Sequence, residues 1–174
     1  KIFQEDDRIV YETILSETGE PADGLRIGKY SEAFSRSKKL EDAIAQTPAF
    51  SKIGPKEKKK LARKDRLLLF DPERDILRQG DRGGSLFIIL DGKVEMITYD
   101  NNGHEVLVSF LSKHQFFGEM AFLSGKPRAA TVRAVEETLL CELSHDSLRN
   151  AIMESSEIKN ALESYYRKRL VELE

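Results

Sequence analysis

Between residues 65 and 143 the chain is a succession of short β-prone runs, each bounded by turn-forming residues, and this restricts the fold more than any other feature. The runs fall at 67–70, 75–77, 86–90, 94–98, 106–110, 130–134 and 138–143. Between them stand Asp71-Pro72, Gly80-Asp81, Gly83-Gly84, Asp91-Gly92, Asn101-Asn102-Gly103 and Gly125-Lys126-Pro127. Short strands punctuated in this way are the pattern of an antiparallel sandwich or barrel. Asp91-Gly92 and Asn102-Gly103 are hairpin turns, because both central positions favour positive φ.

Helical patterns flank the strands. Leu40, Ala43 and Ile44 share helix spacing, Thr47-Pro48 ends that helix, and residues 49–53 form a short apolar connector. Gly54-Pro55 opens a second helix with Pro at its first position, where a missing N–H costs nothing. Its Lys56, Lys58, Lys59, Lys60, Arg63 and Lys64 read as a solvated face over inward Leu61 and Ala62, in preference to a nucleic-acid patch. Past the strands, Ser144 caps a helix whose Leu148, Ile152 and Met153 turn inward. Ser155-Ser156-Glu157 offers a fresh cap, followed by a stripe of Ile158, Leu162, Tyr165 and Leu173. Arg167-Lys168-Arg169 read as a solvated helix face, well placed for the helix dipole. The fold class expected is α+β: an antiparallel, jelly-roll-like β-barrel (65–143) with a helical preamble (38–64) and C-terminal helices (144–174). Residues 1–37 form an extension or linker, in which Ile9, Tyr11 and Thr13 alternate like a strand while Phe3, Val10 and Ile14 also fit a helical stripe. Residues 19–24 make a clear break.

At 174 residues the chain can bury a core without staples, and no apolar run approaches the roughly 20 residues that span a bilayer. Its single cysteine, Cys141, forms no internal bridge and fits a reducing, cytoplasmic setting. With 28 basic and 30 acidic residues the net charge of −2 gives no general attraction to nucleic acid or anionic membrane. The opening Lys1-Ile2-Phe3 lacks Met and a signal region, so the chain reads as cut from something longer.

Residues 117–132 concentrate the chemistry. A helix of little more than one turn follows Gly118, beginning at Glu119, and a helix start presents unpaired N–H groups suited to an anion. Arg128 precedes Ala129 and Ala130, whose small side chains let a ligand approach the backbone, and a guanidinium matches a phosphate through paired charge-assisted hydrogen bonds. Glu119 would repel that phosphate, so it serves another group, for which a sugar hydroxyl is the natural candidate. Phosphate with a ribose hydroxyl means a nucleotide.

The segment resembles the phosphate-binding cassette of the cyclic nucleotide-binding domain family, above all that of the regulatory subunits of cAMP-dependent protein kinase. The likeness rests on Gly118-Glu119-Met120-Ala121 and Pro127-Arg128-Ala129-Ala130-Thr131-Val132. It extends back through Arg78-Gln79-Gly80-Asp81, Leu86-Phe87-Ile88-Ile89 and Gly92-Lys93-Val94, and it covers roughly residues 38–170. The resemblance implies that Glu119 accepts from the ribose 2′-hydroxyl and Arg128 pairs with the cyclic phosphate. It implies that amides around Ala121, Ala129 and Ala130 hold the remaining phosphate oxygens and that Gly118 supplies the turn. Some relatives carry an acid two positions before the first apolar residue of the strand that opens at Leu86, where it orients the arginine. Gly84 stands there, so Arg128 is expected to be less fixed.

Ala129, where guanine-preferring relatives often have a hydroxyl, together with Thr131, resembles the adenine-preferring form; cAMP is the expected ligand and cGMP the alternative. Val94, Met96 and Thr98 supply one wall for the base, and Tyr165 on the C-terminal helix is the expected cover. The resemblance implies a sensing module that moves its C-terminal helices on binding and acts through an effector domain or protein held at the N- or C-terminal helices. It allows a homodimer through the C-terminal helix. His104, His114 and His145 form no closely spaced ligand pair, so no metal and no cofactor is expected, nor is there a nucleophile paired with a base. No catalysis, no membrane contact and no direct nucleic-acid contact are expected. The alternatives are a ligand-free interaction module of the same fold and the sensor half of a transcription regulator.

Overall fold

The computed structural model describes the backbone of residues 2–5, 8–11, 36–63 and 66–173. The break at 19–24 and the side chains of Leu40 and Ala62 lie outside the described residues. Among these, ten strands fall into two antiparallel sheets, the sandwich form of the expected jelly roll. The first has the order β1-β2-β3-β10-β5-β8 and the second β4-β9-β6-β7. The strands are β1 (Ile2–Glu5), β2 (Arg8–Tyr11), β3 (Arg66–Phe70), β4 (Asp75–Leu77) and β5 (Leu86–Asp91), then β6 (Lys93–Tyr99), β7 (Glu105–Ser112), β8 (Phe116–Phe117), β9 (Thr131–Ala134) and β10 (Thr138–Leu143). The helices are α1 (Arg36–Gln46), α2 (Pro55–Arg63), α3 (Glu119–Ser124), α4 (His145–Glu154) and α5 (Ser156–Leu173), with a 3-10 turn over Pro48–Phe50.

Strand β10 pairs with both β3 and β5, so Leu140 and Cys141 sit at the centre of the first sheet and are fully buried. Near-continuous apolar runs fit such a position better than strict alternation does, because both faces are covered. On one face lie the helices: Ile44, Phe50, Leu61, Leu148, Ile158 and Leu162 join Leu86, Ile88 and Leu143 in one cluster. On the other, facing the second sheet, Leu68, Phe70, Phe87, Ile89 and Leu140 meet Val94, Met96, Leu111 and Val132. The N-terminal hairpin β1–β2 continues the first sheet by setting Ile9, Val10 and Tyr11 beside Leu69, Leu68 and Leu67 of β3.

Local chemistry fixes the ends. Gly92 at the β5–β6 turn has φ 101°, and a Cβ there would lie 2.6 Å from Thr138 Oγ1. Ser144 Oγ accepts from the Ser147 amide at 3.2 Å and so caps α4. Met153, expected to face inward, is 76% exposed. Leu148 and Ala151 already direct the buried side of α4 toward the core, and position 153 falls well round the helix from them.

Candidate functional site

The cassette leaves β8 through Gly118, whose φ of 97° and ψ of −6° lie in the left-handed region that glycine enters without a Cβ clash. A Cβ there would stand 2.6 Å from the Ser85 carbonyl oxygen. That close approach matters, because the Ser85 carbonyl is also an anchor for Arg128. Arg128 Nη1 donates to Ser85 O at 3.0 Å and to Gly118 O at 3.1 Å, and the residue is 6% exposed. Its guanidinium lies 5.9 Å from the centre of the Phe87 ring, which itself stacks on Phe117. Backbone bonds from Arg128 N to Asp81 O and from Gly80 N to Arg128 O, both 2.8 Å, tie the cassette to the loop after β4. Two backbone carbonyls thus help to anchor Arg128, with Gly84 in place of an acid and the His145 ring close beside it.

Glu119, the first residue of α3, is fully buried, and its carboxylate meets a partner that the sequence reading placed in solvent. Arg169 of α5 donates through Nη1 to both Glu119 oxygens, at 2.7 and 2.6 Å, and through Nη2 to the Phe116 carbonyl. Arg169 is 6% exposed, so it is no part of a solvated face. The reason is phase. Ile158, Leu162, Tyr165, Arg169 and Leu173 recur at three- and four-residue steps, which puts Arg169 on the inward stripe of α5. Burial pushes the Glu119 carboxyl above the ordinary carboxylate range, while the charge of Arg169, and less that of Arg128, pulls it back.

Arg128 and Arg169 border one cleft, and Glu119, buried behind Arg169, does not line it. Gly118, Met120, Ala121, Arg128, Ala129 and Ala130 line it, as does Met96 of the second sheet. Leu77, Phe117, Val132 and Arg169 also line it, none of them among the expected binding residues. The cleft has room of only about 30 Å³, well below the roughly 300–1,000 Å³ of small-molecule sites. Thr131, Thr98 and Tyr165 do not line it. The Thr131 hydroxyl accepts from the Gln79 amide at 3.0 Å, and Gln79 Oε1 accepts from the Tyr99 amide at 3.2 Å, which braces the loop behind the cassette. Tyr165 packs edge-on against Phe116, with ring centres 4.8 Å apart. Leu173, four residues beyond Arg169, is the α5 residue packed against the cluster between the sheets. Among the described residues no group of three His, Cys, Asp or Glu side chains could hold a metal ion, and no helix is long and apolar enough to cross a membrane.

Two facing sheets, a buried acid and a buried arginine on one cassette, and a terminal helix whose Arg169 binds that acid define a sandwich with a charged cleft at the cassette. The model of the cyclic nucleotide-binding domain matches residues 67–155, and the chain belongs to that family. The cAMP-dependent protein kinase regulatory subunit of Blastocladiella emersonii is 38% identical over 101 residues, covering 58% of this chain and 25% of that protein. The cAMP-activated global transcriptional regulator Vfr of Pseudomonas aeruginosa is 34% identical over 99 residues, covering 55% of this chain and 46% of that one. The chain thus spans about a quarter of the one relative and under half of the other. Among solved structures, the regulatory domain of Toxoplasma gondii PKA with cAMP superposes with a TM-score of 0.63 at 27% identity, covering 66% of this chain and 44% of that one. The regulatory subunit of a cAMP-independent protein kinase A from Trypanosoma brucei shares the fold, with a TM-score of 0.71 at 24% identity over 82% of this chain and 53% of that one.

Proposed function

We propose that this chain is a cyclic nucleotide sensor, regulatory rather than catalytic, with cAMP preferred over cGMP and α5 as the element that responds. The observation that carries the reading is a family cassette whose Arg128 lines the cleft, with the buried Glu119 bound by Arg169, which lines it too. Arg128 pairs with the cyclic phosphate, since its guanidinium is anchored at the cleft wall and a planar guanidinium matches a phosphate geometrically. Glu119 accepts from the ribose 2′-hydroxyl. A carboxylate has about four acceptor sites, so that bond adds to those from Arg169 rather than replacing them. The nucleotide is thereby linked through Glu119 to α5, and Leu173 at the end of the helix is better placed than Tyr165 to cover a base. The relatives named as cAMP-dependent or cAMP-activated support the choice of nucleotide, as does Ala129 in the position that follows the arginine.

The effector lies in another domain or protein, met through the N- or C-terminal helices. Calorimetric titration with cAMP and with cGMP tests the reading. The expected result is saturable binding of both with cAMP the tighter; equal affinities would remove the stated selectivity, and no heat with either would favour a ligand-free interaction module.

A further inference from the structure

A second cleft shares Arg128 with the first. It is formed by β4, the 78–85 loop that follows and β5, and it has room of about 140 Å³ against about 30 Å³ for the first. Arg82, Gly83, Ser85 and Phe87 line it together with Arg128, and of these only Arg128 borders the first cleft. The guanidinium stands between the two walls: a Cβ on Gly83 would lie 3.1 Å from Nη2, and one on Gly118 would lie 3.1 Å from Nη1. Arg82 is exposed, and neither it nor the Ser85 hydroxyl forms a hydrogen bond or ion pair among the described residues. Three carboxylates also line the cleft. Asp75 accepts from Arg133 Nε at 2.8 Å and lies 3.6 Å from Arg78 Nε, and Glu142 is likewise engaged. Asp81 is exposed, and its backbone carbonyl accepts from the Arg128 amide at 2.8 Å. Two guanidiniums and a hydroxyl thus face one unengaged carboxylate, a balance that favours an anion.

We propose that this second cleft is an oxyanion site, which takes a phosphate ion between Arg82 and Arg128 and sets it against the nucleotide. Guanidiniums match a phosphate through charge-assisted hydrogen bonds, and the Ser85 hydroxyl is a further donor. The opposition rests on the nucleotide reading above. Arg128 is 6% exposed, so a negative charge on one side of it is felt on the other with little screening. A phosphate in the second cleft offsets the charge that the cyclic phosphate meets in the first. By linkage the two ligands weaken one another by the same factor.

The test compares the whole wild-type chain with Arg82→Ala, which alters the second cleft alone. Each is titrated calorimetrically with inorganic phosphate, and then with cAMP in the presence and absence of phosphate, with sodium chloride holding the ionic strength equal. The wild type should bind phosphate saturably and Arg82→Ala should lose that binding. Saturating phosphate should weaken cAMP roughly threefold to tenfold in the wild type and leave the variant unaffected, while without phosphate both proteins bind cAMP alike. Phosphate that binds both proteins equally, or weakens cAMP equally in both, would place the ion in the first cleft and overturn the proposal, as would a wild type that binds no phosphate. Phosphate held through Arg82 without effect on cAMP would overturn the opposition. A wild type that holds phosphate through Arg82 but binds no cAMP would overturn the nucleotide reading and leave the oxyanion site standing.

Discussion

Replacing Arg169 by alanine would leave the Glu119 carboxylate fully buried and without its bidentate partner. Breaking a buried ion pair by removing one member costs about 3–5 kcal/mol, because the remaining charge is uncompensated. The penalty depends on pH. Burial already raises Glu119 in the folded state above the ordinary 4.5, so the folded protein holds its proton to higher pH than the unfolded chain does. The stability linked to that group is present below 4.5 and is lost as pH rises through the folded value. Removing Arg169 takes away the largest opposing charge and steepens that loss. Urea unfolding of Arg169→Ala should show a larger deficit at pH 8 than at pH 5. Adding Glu119→Gln should recover much of the deficit at pH 8. A deficit independent of pH would mean that the pair is a packing contact rather than an electrostatic one.

At the level of elements, α5 is fastened at three depths: Ile158 and Leu162 in the helix-side cluster, Arg169 on Glu119, and Leu173 against the cluster between the sheets. A ligand that binds the closed arrangement better shifts the helix toward it. Hydrogen exchange should therefore slow over the last two turns of α5 on saturation with cAMP, with little change around Ile158 and Leu162. Identical exchange with and without nucleotide would remove α5 as the responding element. Most of this element is readable from its sequence stripe, and so are seven of the ten strands, the turns at Gly92 and Gly103 and the short helix after Gly118, whereas β1, β2 and β8 are not. Arg169 was misread because a charged residue was weighed by its type. Its in-phase position, four residues beyond Tyr165, was the signal that it faces inward. Tyr165 was offered as a base cover because an aromatic on that stripe is a reasonable one. The contact with Phe116 depends on how α5 crosses β8, and a single chain's periodicity does not carry crossing geometry. The bulge at Val108 of β7 likewise follows from strand register, which local patterning leaves open.

For the molecule as a whole, the acid side of the stability curve carries a mark of His114. Burial, with the charge of Lys113 behind it, pushes this histidine below its ordinary 6.5, and its Nδ1 is buried without a partner. The folded protein thus binds the His114 proton less readily than the unfolded chain. The corresponding stability is present above 6.5 and is lost as pH falls toward the folded value. His114→Asn keeps a residue tolerant of the positive φ of 70° while removing the titration. The wild type should lose more stability than this variant between pH 7.5 and 5.5; parallel curves would assign the acid sensitivity elsewhere.

The measurement that bears most directly on the whole account is calorimetric titration of cAMP into the wild type and into Arg128→Ala, with unfolding followed in parallel to confirm that the variant is folded. Hydrogen bonds to charged groups contribute about 1.5–3 kcal/mol, so loss of the guanidinium should weaken binding by at least about tenfold. Arg128→Lys, which keeps the charge but not the fork, should fall between the two. Undiminished cAMP affinity in a folded Arg128→Ala would show that the phosphate is bound elsewhere and would contradict the site.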